Sequence, residues 1–178
     1  ITVTINATGA ECSSITFASN SANSALNISG AFTLDVTGDI SYSDPSLDGR
    51  VQTIGIGTGI VSCTNLNFAN TASFNRDNNL TITTGSLTVS GGIIMSGAAN
   101  ENAFTCTGNS IINLGGNFTG TGTFTAGTST LTLNGTGSQS IKTGTYRNII
   151  INKASGVTTF AGATIATGRL TLTSGTLN

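Results

Sequence analysis

Apolar residues alternate with Thr, Ser or Asn along most of the chain. Typical segments are Leu34-Asp35-Val36, Leu87-Thr88-Val89 and Leu131-Thr132-Leu133. Successive side chains of a strand point to opposite faces, so the alternation predicts half-buried strands with apolar residues on one side. The runs are short and end at Gly, Asn or Ser-Gly, which are turn signals. No segment has the apolar spacing of an amphipathic helix, so we expect an all-β fold without significant helix.

The strand pattern also repeats at a longer interval. Cys63–Phe68 aligns with Tyr146–Ile151. Without a gap, the same alignment matches three further pairs: Ile82 with Ile165, Leu87 with Leu170, and Val89 with Leu172. A third copy begins at Cys12 and places Leu34 on Leu87. The sequence therefore contains related units built from short strands and Gly or Asn corners.

Such repeats predict a parallel β-solenoid, in which successive turns of the chain stack along one axis. Turns of about 20–27 residues are expected, which gives roughly seven coils and a rod on the order of 35 Å long. We expect residues 1–178 to form a single solenoid segment. A pair of antiparallel β-sandwich domains is the main alternative. The predicted inward core consists of Ile28, Leu34, Val36, Leu66, Phe68, Ile82, Leu87, Val89, Ile112, Phe124, Leu131, Leu133, Ile149, Ile151, Leu170 and Leu172.

Composition excludes several functional classes. The 178 residues include 6 Lys or Arg, 7 Asp or Glu and no His, with a formal net charge of −1. The lack of His removes the commonest general base and the commonest zinc ligand. Six scattered cations give no electrostatic footprint for nucleic acid. No apolar run is long enough for a transmembrane helix. We therefore expect no nucleic-acid partner, no transmembrane segment and no enzymatic activity.

The second half of the chain resembles a known type of repeat. Gly120–Ile141, Tyr146–Lys153 and Leu170–Asn178 are similar to a repeat of very large secreted Bacteroidetes surface proteins. Proteins with this repeat are exported by the type IX secretion route and act as adhesins or gliding-motility filaments. The resemblance implies a non-catalytic stalk segment at the extracellular cell surface. The partners it implies are flanking coils of the same long chain, surface glycans, and the secretion or motility machinery. Both ends of the sequence interrupt strand patterns, so we expect a fragment of a longer repeat array.

Four aspartates in the first third of the chain are the main candidates for metal or catalytic chemistry. Asp35, Asp39, Asp44 and Asp48 precede Arg50. Hard cations need several oxygen ligands, so Asp44 and Asp48 with backbone carbonyls are a candidate Ca²⁺ site. A β-helix enzyme that cleaves polysaccharides is a second hypothesis for the cluster. Turn formation by Asp44-Pro45 and Asp48-Gly49 is the simpler interpretation. We expect no other cofactor.

Thr-x-Thr segments provide a different functional hypothesis. Each segment places two hydroxyls on one face of a strand, and solenoid ice-binding proteins use flat arrays of such pairs. The candidates for an ice-binding or ligand-binding face are Thr81, Thr83, Thr130, Thr132, Thr171 and Thr173. An ice-binding face requires these pairs to fall on the same side of every turn, and their spacing in the sequence is irregular. Ordinary outward Thr ladders are the alternative.

Three cysteines complete the set of candidate residues. Cys12, Cys63 and Cys106 have no C-x-x-C spacing, which argues against a structural zinc site. We expect small buried thiols. A Cys12–Cys63 disulfide is the alternative.

Overall fold

The computed structural model describes residues 1–70, 76–97 and 100–178, excluding the side chains of residues 70 and 76. Within these ranges the chain forms strands and no helix, and all strand pairings are parallel. The strands stack as a β-solenoid of about seven turns. This confirms the predicted parallel β-solenoid and excludes antiparallel β-sandwich domains for the described residues.

Each turn contributes strands to three columns, which we call faces I, II and III. Face I is a six-stranded sheet followed by a two-stranded sheet. Its strands are β1 (Thr2–Ile5), β4 (Ser24–Ile28), β7 (Arg50–Ile56), β10 (Arg76–Ile82), β13 (Asn102–Cys106), β16 (Thr123–Thr125), β19 (Gly144–Tyr146) and β21 (Thr164–Ala166).

Faces II and III form one 14-stranded sheet, because a long strand bends from one face to the other. Face II consists of β2 (Ala10–Cys12), β5 (Thr33–Val36), β8 (Ile60–Cys63), β11 (Ser86–Val89), β14 (Ile111–Leu114), β17 (Thr130–Leu133) and the first parts of β20 (Asn148–Phe160) and β22 (Leu170–Leu177). Face III consists of β3 (Ile15–Phe17), β6 (Ile40–Ser43), β9 (Leu66–Asn70), β12 (Ile93–Gly97), β15 (Phe118–Gly120), β18 (Gln139–Ile141) and the last parts of β20 and β22.

One inward ladder runs along the whole of face II and confirms part of the predicted repeat. Its members, in order, are Ala10, Leu34, Val61, Leu87, Ile112, Leu131, Ile149 and Leu170. Leu87 and Leu170 therefore occupy equivalent positions, as do Val89 and Leu172 in the neighbouring ladder. Apolar side chains consequently contact one another from turn to turn along the axis.

Two parts of the predicted alignment are wrong. Leu66 stacks on Ile93 in face III, whereas Ile149 lies in face II. Ile82 is buried, whereas Ile165 points outward and is 56% exposed. The turns do not have constant length: hydrogen bonds between equivalent positions of adjacent turns span 27 residues near Asp35 and 18 near Thr130. A gap-free alignment therefore stops matching structurally equivalent residues where the corners become shorter.

The predicted core is largely buried, with three differences. Phe124 is only partly buried and packs against the core. Leu170 and Leu172 occupy inward ladder positions, yet they are 45% and 54% exposed. They lie in the last turn, where a neighbouring turn covers them on one side alone. An inward-pointing side chain is therefore buried only if its turn lies between two other turns.

The interior of face I contains a ladder of buried amides that the alternation pattern did not predict. Gln52, Asn78 and Asn102 stack in register and are fully buried. Asn78 donates a hydrogen bond to Asn102 at 3.2 Å, and Gln52 donates to the Ala18 carbonyl at 3.1 Å. These bonds offset part of the cost of burying the amides, although Gln52 Oε1 and Asn78 Oδ1 accept no hydrogen bond.

Aromatic rings form a second internal ladder under face III. Phe17, Tyr42 and Phe68 are stacked with ring centroids 4.8 and 4.7 Å apart. The buried Tyr42 hydroxyl donates to the Asn79 carbonyl at 3.0 Å, so its one polar group is satisfied. The ring spacing matches the spacing of adjacent parallel strands, about 4.8 Å. The rings therefore report the same turn-to-turn repeat as the backbone.

All three cysteines are free, so the alternative of a Cys12–Cys63 disulfide is wrong. Cys12 pairs with Val36, and the turn of Val36 separates it from Cys63. Two turns at about 4.8 Å each exceed the distance of roughly 7 Å that a disulfide allows between Cα atoms. Cys63 and Cys106 are buried as predicted, and Cys12 is half-buried.

Substitution within one ladder tests whether the stacking provides the stability. We expect Leu87→Ala to lower the free energy of unfolding by about 2–5 kcal/mol, because Leu87 is fully buried between two turns. Leu170→Ala is the matched control: the same residue type in the same ladder, but 45% exposed. Its expected cost is below about 1 kcal/mol. Urea unfolding followed by circular dichroism measures both, and equal costs would contradict the stacked core.

Candidate functional surfaces

Two outward ladders of face I carry only small uncharged residues from β1 to β16. One outward ladder consists of Thr2, Ala25, Thr53, Asn79, Ala103 and Thr123. The other consists of Thr4, Asn27, Gly55, Thr81, Thr105 and Thr125. The strands are in register, so neighbouring rows lie about 4.8 Å apart along the axis and the two ladders about 6.6 Å apart across it. This surface is a regular array of hydroxyls, methyls and amides.

A shallow depression interrupts the array at Gly55. It has a volume of about 250 Å³ and lies between Asn27 and Thr81. A Cβ atom at Gly55 would lie 2.8 Å from Asn27 Oδ1, the mobile end of a side chain that can move aside. The backbone φ of Gly55 is not in the left-handed region. A larger residue can therefore fill this position if Asn27 turns away.

The predicted Thr pairs do not share one surface. Thr81 belongs to face I, and Thr83 follows β10 at the corner toward face II. The outward side of face II holds Thr130, Thr132 and Thr171. Thr173 lies where a register shift interrupts the pairing of β22 with β20. The sequence did not reveal which pairs belong together, because irregular corners separate them.

Face II is less uniform than face I. Ile60 and Ile111 point outward there and are 46% and 47% exposed. Glu11 and Asp35 add charge to the same face. Face III presents Ile94, which is 43% exposed. The two outward ladders of face I defined above contain neither charged nor bulky apolar residues, whereas Val51 and Asp77 hold the outward positions beside them in β7 and β10.

The four candidate aspartates lie at three different places. Asp35 accepts a hydrogen bond from Ser62 on face II. Asp39, at the corner between faces II and III, accepts from the Asn65 backbone at 3.0 Å and from Asn65 Nδ2 at 2.9 Å. Asp44 and Asp48 lie in the next loop, between β6 and β7, and each has an interaction partner. The sequence cluster is therefore not a single cluster in space.

The predicted Ca²⁺ site at Asp44 and Asp48 stays a prediction. Asp44 is half-buried and Asp48 is exposed. Among the residues that the structure describes, no group of three or more His, Cys, Asp or Glu side chains is arranged to hold a metal ion. Further oxygen ligands would have to come from backbone carbonyls of the same loop, because hard cations require several.

Other charged residues meet near the corner between faces III and I. Arg50 begins β7, Asp77 pairs with Val51, and Glu101 precedes β13. Glu101 is only 2% exposed and has an interaction partner. Burial, with a smaller contribution from the Glu101 charge, raises the pKa of Asp77. Sequence reasoning missed Asp77 and Glu101, because only the register of β7, β10 and β13 brings them together.

One lysine is buried inside the last turns. Lys153 is 1% exposed, and its Nζ donates to three oxygens: Gly135 O at 3.1 Å, Gly137 O at 2.6 Å and Gln139 Oε1 at 2.5 Å. These neutral acceptors replace water around the ammonium group. Burial nevertheless lowers its pKa. This arrangement fixes the loop between β17 and β18 to β20.

The two ends of the solenoid expose the cross-section of its core. The first turn surrounds an apolar concavity of about 560 Å³, bounded by Val3, Ile15 and Phe17 among others. Val3 is 51% exposed although it stacks on the buried Leu26 in an inward ladder. The last turn presents Leu170 and Leu172 in the same manner. The outer edges of β1, β2 and β3 have no strand partner in the described chain.

Comparison with protein-family models, curated proteins and solved structures finds no match for this chain. The described residues include no helix that is long and apolar enough to cross a membrane. Functional inference therefore depends on the faces, the corners and the ends of the solenoid.

Buried acidic groups predict a loss of stability at alkaline pH. Burial, followed by the charge of Asp39, raises the pKa of Cys63 from 9.0 to about 12. Burial also raises the pKa values of Cys106, Tyr42 and Tyr146. Above pH 9.0 the unfolded chain releases the Cys63 proton while the folded chain retains it. The free energy of unfolding therefore falls as pH rises from 9.0 toward about 12, by up to about 1.4 kcal/mol per pH unit for this thiol.

Cys63→Val isolates the contribution of the thiol, because Val36 and Val89 occupy neighbouring positions of the same ladder. Urea unfolding between about pH 8 and pH 11 measures it. We expect the stability of the wild type to fall more steeply with pH than that of the variant. The lowered pKa values of Lys142 and Lys153 act in the opposite direction, but they affect both proteins equally. Parallel curves would contradict the prediction.

Proposed function

We propose that the chain is a structural, non-catalytic segment of an extracellular stalk. In this role it holds an adhesin or filament tip away from the cell surface. Two features support the proposal: the continuous ladders between turns and the resemblance of Gly120–Asn178 to Bacteroidetes surface repeats. The ladders are the observation that carries it.

Stiffness follows from the way in which the turns are joined. Each strand pairs in parallel with the strands of the adjacent turns, so bending the rod would strain many hydrogen bonds at once. The inward ladders of face II add apolar contact between every pair of turns. A solenoid behaves as a stack in which each turn contacts only its neighbours. Turns can therefore be added without altering the packing of the existing turns. These properties suit a spacer.

The resemblance implies that flanking coils of the same longer chain are partners of this segment. In a solenoid, interior turns present apolar cross-sections to each other, so each coil would cover the apolar cross-section of the next. The polar outer faces leave room for weak contacts with surface glycans or with the secretion and motility machinery.

Electron microscopy of cells that produce the protein tests the proposal. We expect gold-labelled antibodies against this chain to decorate thin filaments outside the outer membrane, because a stalk is exposed along its length. Preimmune serum and an antibody against a cytoplasmic protein are the controls. Label confined to the cytoplasm, or to compact particles without filaments, would reject the stalk.

Ice binding is a second candidate function, favoured by face I. Ice offers a flat, uncharged lattice, and a charged or bulky side chain would prevent close contact. The outward ladders of face I from β1 to β16 contain only Thr, Ala, Asn and Gly. Their spacings, about 4.8 Å along the axis and about 6.6 Å across it, make a regular two-dimensional array of the kind that a crystal lattice can match. The ice-binding residues would be Thr81 and its face I neighbours, rather than Thr130, Thr132 and Thr171.

Thermal hysteresis and ice-recrystallisation assays test this candidate. We expect Thr105→Lys to abolish the activity, because a hydrated ammonium group would stand in the middle of face I. Thr132→Lys, the same exchange on face II, is the matched control and should retain it. Gly55→Thr should increase the activity by filling the depression beside Asn27. An inactive wild type, or equal effects of the two lysine variants, would exclude ice binding by face I.

The third hypothesis, a polysaccharide-cleaving enzyme, receives no support from the described geometry. Asp35 and Asp39 are separated by a strand and a corner from Asp44 and Asp48. The Asp35 and Asp39 carboxylates already accept hydrogen bonds from Ser62 and Asn65.

A further inference from the structure

Charged residues are unevenly divided along the solenoid. All seven acidic residues lie within residues 1–101, together with only two of the six cations. The other four cations lie within residues 102–178, which contain no Asp or Glu. The formal net charge is therefore −5 for the first part and +4 for the second. Since the strands of each face stack in sequence order, the turns from β13 onward form a basic part of the rod.

Two of the four cations in the basic part are exposed. Lys153 is buried, and Lys142 is half-buried with its Nζ 5.8 Å from the centre of the Phe118 ring. Arg147 and Arg169 are exposed. Residues 102–178 offer them no carboxylate side chain as a partner. Each guanidinium group carries five N–H donors, so both are available to an anion from outside the chain.

The two arginines lie in adjacent turns at the same corner, between faces I and II. Arg147 joins β19 to β20, and Arg169 lies between β21 and β22. Arg147 Nη1 donates to the Thr167 carbonyl at 3.3 Å, so its side chain reaches the turn of Arg169. Gly168 leaves room for it, because a Cβ atom there would lie 3.3 Å from Arg147 Cδ. Like charges on neighbouring strands repel, and an anion bound beside them would remove this cost.

A depression lies on each side of this corner. The depression on face II has a volume of about 420 Å³ and is lined by Thr130, Asn148, Ile150, Arg169 and Thr171. The depression toward face I has a volume of about 260 Å³, and its lining includes Thr125, Thr145 and Arg147. Each depression thus combines one guanidinium group with hydroxyls, and the first adds an amide and an apolar side chain.

This combination of groups matches the chemistry of an acidic sugar. A guanidinium group binds a carboxylate or a sulfate through parallel N–H donors. Thr hydroxyls and the Asn148 amide both donate to and accept from sugar hydroxyls. Ile150 offers an apolar surface to the C–H side of a sugar ring. A nucleic acid would need a longer row of cations than two arginines to neutralise its phosphates.

We propose that the corner of Arg147 and Arg169 binds an acidic polysaccharide through its carboxylate or sulfate groups. This inference rests on the proposed function, because it specifies which glycans the stalk contacts. Arg169 directly precedes the inward Leu170 and therefore points away from the axis. A further turn stacked along the axis would adjoin the corner and leave its outward side accessible.

Isothermal titration calorimetry of the purified chain tests the proposal. The acidic probes are polygalacturonate, which carries carboxylates, and dextran sulfate. Their neutral counterparts are fully methyl-esterified pectin and dextran. We expect at least one acidic polymer to bind and neither neutral polymer to do so, and the one that binds identifies the anionic group. Binding should weaken between about 20 mM and about 200 mM salt, because salt screens exposed charges.

Single substitutions locate the site on the rod. Arg147→Ala and Arg169→Ala should each weaken binding at least about tenfold, because charge-assisted hydrogen bonds are lost. Arg169→Lys keeps the charge without the planar fork and should retain only part of the affinity. Ile60→Glu is the matched control: it changes the net charge as Arg169→Ala does, but Ile60 is 46% exposed several turns away on face II. It should bind like the wild type, and circular dichroism shows whether each variant is folded.

Several results would overturn the proposal. These are no binding of either acidic polymer at low salt, equal binding of the neutral polymers, undiminished binding by the folded alanine variants, and an equal loss in Ile60→Glu. A DNA duplex bound as tightly as the polysaccharides would also overturn it, because the corner would then select charge alone. Each of these results leaves the stalk in place if surface filaments are labelled. Intact binding with label confined to the cytoplasm would reject the stalk alone.

Discussion

Parallel main-chain pairing between successive turns is the interaction on which the rest of this structure depends. Because every strand lies on the equivalent strand of the turn before, each side chain has a neighbour of the same orientation about 4.8 Å away. Inward positions then form continuous apolar ladders, such as the one from Ala10 to Leu170. Outward positions form ladders in which repeated like charges would repel. The low charge of the chain, 7% of its residues, is a consequence of this stacking.

The same constraint determines which polar groups the interior tolerates. A buried amide is acceptable where the turn above carries another amide, as Asn78 and Asn102 show. A buried lysine is acceptable only where a loop supplies several carbonyls, as the loop of Gly135 and Gly137 does for Lys153. Polar burial in this fold is therefore of two kinds. One repeats along the axis, and the other occurs at a single corner that departs from the repeat.

The alternation of residues predicted the strands, and the longer repeat predicted the parallel stacking and the equivalence of Leu87 with Leu170. Neither pattern was sufficient where the face on which a residue lies depends on the length of a corner. Corners change the phase between strands without changing the alternation inside them, which explains the wrong pairing of Leu66 with Ile149. For the same reason the sequence could not show that Thr81 and Thr130 lie on different faces, or that Asp77 and Glu101 share a corner. Local pattern defines an inward or outward direction, and only the register defines a face.

Register also explains why residues at equivalent ladder positions differ in exposure. In a folded domain with one core, the surface differs in character from the interior, so exposed core residues are uncommon. In a solenoid each turn forms a complete layer of the core. The next turn packs on the side of that layer that faces along the axis. Val3 and Leu172 are exposed for the same reason that Leu26 and Leu133 are buried, since all four hold inward ladder positions. The element that recognises a further turn is therefore already present in every turn.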